Sequence, residues 1–129
     1  MGLRYRKHAT TLPGKPDIVF VRARVVVFCD GDFWHGRNWE SCKEKLGKGM
    51  NADYWVQKIA YNIERDQRNT KLLQDTGWTV IRLWETDIKF DPPAAAAYIR
   101  NVVDENRKAR QLMSNSAPLD LLGNANEIR

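Results

Sequence analysis

Two apolar runs only three residues apart constrain this chain more than any other feature. Asp17-Ile18-Val19-Phe20-Val21 and Val25-Val26-Val27-Phe28-Cys29 are rich in β-branched and aromatic side chains, and the polar Arg22-Ala23-Arg24 between them is long enough only for a tight turn. The pattern predicts an antiparallel hairpin. A short turn sets the start of the first strand beside the end of the second, so Asp17 is expected near Cys29 and Asp30. Just upstream, Leu12-Pro13-Gly14-Lys15-Pro16 is turn chemistry. Pro13-Gly14 closes the turn, and Lys15, standing before a proline, is expected to be extended.

The hairpin runs directly into Asp30-Gly31-Asp32-Phe33-Trp34-His35-Gly36. Cores do not usually place two aspartates and a histidine so close together, with two large aromatics between them. Carboxylates and imidazole suit acid–base work or a divalent cation, and exposed rings beside them suit a flat, anionic polymer. The formal net charge is +5 and the pI about 9.4, which also favours an anionic partner. Arg4, Arg6, Lys7, His8, Lys15, Arg22 and Arg24 cluster near the start; they read either as a solvated, flexible end or as a phosphate-contacting arm.

A hydrophobic fraction of 43% over 129 residues supports one domain, expected over 1–114, with a loosely attached tail over 115–129. The two cysteines, Cys29 and Cys42, form no CxxC pair, which argues against a cysteine-rich zinc site, and Cys29 is expected to be buried at a strand end. No apolar run approaches the roughly 20 residues that span a bilayer, and no signal-peptide core is present, so a soluble cytoplasmic protein is expected.

Residues 36–50 read as a polar, Gly- and Lys-containing loop, either merely solvated or facing the anionic partner. Residues 52–75 are helical by period, with Asn51 or Asp53 as the cap and Gly77 suited to the end. At about 100° per residue, Val56, Ile59, Ala60, Ile63 and Thr70 form the expected buried stripe, and Trp55, Lys58, Asn62, Arg65, Asp66 and Asn69 an adjoining polar one. Trp78–Leu83 alternates as a third strand. Asp91-Pro92-Pro93 opens a last helix reaching about Met113. Hairpin, helix, strand and helix in that order predict an α/β fold, a mixed sheet with helices packed on it.

Five motifs occur in order: Leu12-Pro13-Gly14-Lys15-Pro16-Asp17; Phe28 through Phe33-Trp34-His35; Tyr54-Trp55-Val56-Gln57-Lys58-Ile59; Asn62-Ile63-Glu64-Arg65-Asp66; and Gly77 through Glu85. Together, over about residues 12–88, they resemble the very-short-patch-repair (Vsr) endonucleases of the restriction-endonuclease-like, PD-(D/E)XK class. The resemblance implies a central mixed β-sheet flanked by α-helices and a metal-dependent DNA endonuclease. Its implied action is to nick duplex DNA 5′ to the mispaired T of a T·G mismatch, with Mg²⁺ as cofactor and a monomer as the acting unit.

The resemblance also implies roles. Asp17 corresponds to the essential metal-binding aspartate, and Cys29 to a position whose main-chain carbonyl is a metal ligand. His35 corresponds to the general base, oriented by Asp66. Phe33, Trp34 and Trp55 correspond to aromatics wedged between bases; Lys58, Asn62 and Lys15 are expected at the DNA. The family's best-known members carry His where this chain has Asp30, which reads either as a second metal ligand or as the cap of the Asp-Gly turn. Asp32 and Thr86 stand where zinc-containing members have Cys, so no structural zinc is expected. Members usually have a further helix before Leu3-Arg4-Tyr5-Arg6, so a naturally short form or a truncated one is expected. The competing readings are a related nuclease with another DNA target (in defence or recombination), a DNA-binding module without cleavage, and a basic α/β scaffold with buried aromatics.

Overall fold

In a computed structural model, residues 4–46 and 51–116 are described. The chain forms β1 (Arg6–Lys7), β2 (Ile18–Phe20), β3 (Val25–Asp30), α1 (Trp39–Leu46), α2 (Ala52–Asp75), β4 (Thr79–Trp84), α3 (Glu85–Phe90) and α4 (Pro92–Ser116). The sheet order is β1-β2-β3-β4, antiparallel up to β3 and parallel between β3 and β4. The mixed sheet, the predicted hairpin, α2, β4 and α4 are all present.

β3 explains the architecture. Val25, Val26 and Val27 are each completely buried, because consecutive side chains on a strand face opposite sides and here both sides are covered. Val25 and Val27 pack with Phe20, Ile81, Ile99 and Val103 beneath α4. Val26 and Phe28 pack with Val19 and Leu73 beneath α2. Asp30 therefore emerges at the end of β3 on the α2 side. The Asp91 carboxylate caps α4 by accepting from the Ala94 N–H at 3.1 Å, as Asp91-Pro92 predicts.

Several expectations are corrected. The stretch 36–50 is not all loop: Trp39 and Cys42, nearly one helical turn apart and partly buried, start α1, which packs on α2. Residues 47–50 of that expected loop, and 117–129 of the expected tail, lie outside the described residues, and α4 continues past Met113 to Ser116. Lys15 is not extended. It adopts φ 52°, and its N–H closes the Leu12 turn at 3.0 Å. Cys29 is exposed rather than buried, because the α4 contacts at Ile99 and Val103 cover Val25 and Val27 and stop short of it. Asn51 starts α2 in the left-handed region without a side-chain cap bond, while Gly77 at φ 95° ends it as expected.

The inward face of α2 is also rotated from the expected one. Ile59, Asn62 and Leu73 are buried, while Ala60 is exposed. The loop after β3 lies over part of the polar stripe and buries Asn62. Gly36 makes this approach possible: it holds φ 76°, and a Cβ there would collide with Ile63.

Candidate active site

Four elements converge at the C-terminal end of β3. β3 supplies Asp30, the following loop His35, α2 Asp66 and β4 Arg82. They line a cavity of about 200 Å³ together with Ile63, Gln67 and Trp84. His35 Nδ1 lies 2.5 Å from Asp66 Oδ2 and 3.7 Å from Asp30 Oδ1. A carboxylate only accepts, so Nδ1 is the donor in this contact, and in the neutral imidazole that leaves the lone pair on Nε2.

Arg82 closes the group. Its Nη1 donates to both oxygens of Asp30, at 3.0 and 3.1 Å, its Nη2 to the Asp66 carbonyl at 3.3 Å, and its Nε to Thr70 Oγ1 at 2.8 Å. The guanidinium also stacks 3.9 Å above the Phe28 ring. Burial pushes the Asp30 carboxyl above its usual range, against the opposing pull of Arg82 and His35. Sequence reasoning did not single out Arg82. It occupies an alternate position of the TVIRLW strand, where a polar residue normally faces water, and only the cover of α2 turns it into a core cation.

Asp17 sits apart from that trio, on the neighbouring strand edge. Its Oδ2 accepts from the Cys29 N–H at 2.7 Å, and Oδ1 has no hydrogen-bond partner among the described residues. The hairpin thus brings Asp17 to the end of β3, beside the Cys29 main chain. Although Cys29 is exposed as a residue, partial desolvation pushes its thiol up first, followed by the negative fields of Asp17, Asp30 and Glu85. That is the opposite of what a thiolate nucleophile requires.

The donor sets differ in hardness. Asp30, His35 and Asp66 each offer an atom within 4.8 Å of the others, a spacing compatible with a divalent cation. That set includes an imidazole nitrogen, and Asp30 shares both oxygens with Arg82. The unengaged oxygen of Asp17 is the better match for a hard cation such as Mg²⁺, which prefers oxygen ligands.

Beside the cluster stands an aromatic group. Phe33, Trp34 and Trp55 have centroids 5.1–5.9 Å apart, and Tyr54 is 5.0 Å from Trp55. Phe33 is 40% and Trp34 47% exposed, unusual for rings so closely packed. Asn62 does not reach the surface. It is buried, its Nδ2 donates to the Trp34 carbonyl at 2.9 Å, and its Oδ1 has no partner. It holds the loop that presents Trp34. Lys15 and Lys58 are exposed.

A separate polar tie fastens that loop to α3. Asp32 accepts from the Thr86 N–H at 3.1 Å and from Arg37 at 3.1 Å, and Arg37 also donates to Asp87 at 3.0 Å. Hydrogen bonding from Thr86, then from Arg37, holds the Asp32 carboxyl below its usual range.

Comparison with known proteins points in one direction. The family model described as DNA mismatch endonuclease Vsr matches residues 1–41. The type II nicking enzyme V.NmeDIP of Neisseria meningitidis serogroup C is 41% identical over 107 residues, covering 83% of this chain and 71% of that protein. V.HpaIIP of Haemophilus parainfluenzae, also a type II nicking enzyme, is 35% identical over 105 residues, covering 81% and 73%. The DNA mismatch endonuclease Vsr of Escherichia coli K12 is 36% identical over 88 residues, covering 68% and 54%.

Proposed function

Because the chain belongs to the Vsr family of DNA endonucleases, we propose that it is a Mg²⁺-dependent enzyme that hydrolyses one phosphodiester bond of duplex DNA at a T·G mismatch. The observation that carries this reading is the 2.5 Å contact between His35 Nδ1 and Asp66 Oδ2, in a small cavity beside half-exposed aromatics. The family kinship supports a restriction-endonuclease-like arrangement of the mixed sheet. No helix among the described residues is long and apolar enough to cross a membrane. A DNA substrate fits the cytoplasm, and a single cut needs only one centre, which suits a monomer.

In this reading Asp17 and the Cys29 carbonyl would hold the cation, and Asp30 would join only by sharing an oxygen with Arg82. When bound, Mg²⁺ neutralises charge on the reacting phosphate and the leaving oxygen. His35 Nε2 takes the proton from the attacking water. Asp66 keeps the tautomer that leaves Nε2 free and stabilises the imidazolium that results. The buried Asp30 adds a second negative field, and Arg82 keeps both carboxylates in place. Phe33, Trp34 and Trp55 insert between bases, where the unstacking cost is a few kcal/mol and smaller at a mispair. Lys15 and Lys58 touch phosphates, and Asn62 acts one step back, by positioning Trp34.

The test is a labelled duplex carrying one T·G pair, compared with its matched counterpart. Nicking should require Mg²⁺ and favour the mismatch. Asp17→Ala should lower the rate by about 10²–10³-fold, the equivalent of several kcal/mol of lost charge stabilisation, with thermal melting unchanged. Equal cutting of both duplexes would point to another DNA target. Full activity of Asp17→Ala would remove Asp17 from the metal site.

A further inference from the structure

A larger cavity lies away from the titratable cluster. It is an open groove of about 850 Å³ at the turn end of the hairpin, between β1, the β2–β3 turn and α4. Arg4, Arg6, Arg22 and Arg107 line it around a floor that includes Tyr5 and Phe20, whose rings are 6.1 Å apart. No carboxylate is among the described lining residues.

These arginines differ from most others of the chain. Of the seven other described arginines, six have a partner, and Arg110 has none among the described residues. Arg24 lies over Trp78, and Arg37, Arg65, Arg68, Arg82 and Arg100 meet carboxylates. The four groove arginines have no ion pair among the described residues. They come from three distant parts of the sequence, so a local run of like charge does not explain them. Basic side chains on β1 alone would be ordinary protection of a sheet edge. Arg22 in the turn and Arg107 on α4 have no edge to protect, yet they face the same space.

The β1 edge leads from the groove toward Asp17. β1 runs antiparallel to β2, pairing Arg6 with Val19 and Lys7 with Ile18, and the His8 N–H donates to the Asp17 carbonyl at 3.0 Å. Arg6 and Lys7 are exposed on this edge.

We propose that the groove lined by Arg4, Arg6, Arg22 and Arg107, with the β1 edge leading from it to Asp17, is a second phosphate-binding track that holds the flank of the substrate duplex away from the cut. It rests on the reading of the protein as a duplex-DNA endonuclease. The track contributes affinity and register, and takes no part in the bond-breaking step. Guanidinium groups bind phosphate through paired N–H donors, and the half-exposed Tyr5, packed beside the buried Phe20, gives the sugar edge an apolar surface.

The test measures duplex binding by fluorescence anisotropy without Mg²⁺, across a salt series, together with the nicking rate at saturating DNA. Arg22→Gln with Arg107→Gln is compared with the wild type and with a charge-matched control, Lys71→Gln with Lys89→Gln. A second pair, Arg4→Gln with Arg6→Gln, repeats the measurement from β1. Each groove pair should flatten the slope of log K against log salt by about 1.8, the release of about 0.9 counterions at each of two phosphates. The loss should appear on a long duplex and vanish on one too short to reach the groove, with the saturated nicking rate unchanged. A slope equal to that of the wild type, or an equal loss on short and long duplexes, would overturn the proposal. Failure of the wild type to nick any duplex would instead overturn the endonuclease reading and leave the binding slopes to be judged separately.

Discussion

The two ends of β3 handle charge in opposite ways. At the Asp30 end, two carboxylates, an imidazole and a guanidinium form one cluster with N···O separations of 2.5 to 4.0 Å, largely shielded from water. At the turn end, the groove guanidiniums meet no carboxylate among the described residues. Charges that satisfy one another are held in one geometry, which is what proton transfer needs. Charges left unsatisfied at a surface are available to something from outside. The same strand thus separates a preorganised centre from a receptive surface, and the valines between them are the rigid spacer.

That contrast can be broken at its closed end first. His35→Ala should cost about 10²–10⁴-fold in nicking rate, the usual worth of a general base. Asp66→Asn, which leaves the imidazole but not its orienting charge, should cost less, about 10–100-fold. Single-turnover nicking measures both; equal losses would mean that Asp66 does more than orient. If neither variant slows cutting, the closed end is structural and the comparison fails.

Smaller effects sharpen it. Arg82→Met strands the buried Asp30 and should destabilise the fold by about 3 kcal/mol, near the low end for a broken buried pair, because the Arg82 side chain keeps 21% of its exposure. Urea unfolding reads this. Adding Asp30→Asn to Arg82→Met should recover most of the loss, since the uncompensated charge goes with it. The smallest effect is in acid. Because the Asp30 carboxyl lies above its ordinary value of 3.8 when folded, the native state binds more proton than the unfolded chain between that value and the raised one. Asp30 therefore favours folding below about 3.8, and its contribution declines as pH rises through the raised value. Asp30→Asn should remove that downward component from the pH–stability curve, and a curve unchanged in shape would show that the carboxyl is not shifted.

The long elements were legible because their periods are strong. The valine run of β3, the helical spacing of α2 and the Asp91-Pro92 start of α4 each specify an element locally. β1 was not legible, since two residues carry no period and that strand exists only by pairing with β2. Nor was α3, six residues long and polar in its first turn. Asp17, Asp30, His35 and Asp66 stood out as residue types in motifs, and the structure brings the last three into one cluster while Asp17 lies beside Cys29. Asn62 stood out for a role at the surface, but the loop folded over α2 buries it.

By itself the sequence determined the hairpin, and with it the neighbourhood of Asp17 and the end of β3, because so short a polar connection between two apolar runs makes the chain fold straight back. Tertiary structure alone decided which charges meet. Arg82 reaches Asp30 because β4 pairs in parallel with β3 under the cover of α2, and Arg107 joins Arg4, Arg6 and Arg22 because α4 packs across the opposite face. Strand and helix periods are written in neighbouring residues, whereas the partner of a charge is set by which surfaces the burial of apolar side chains brings together.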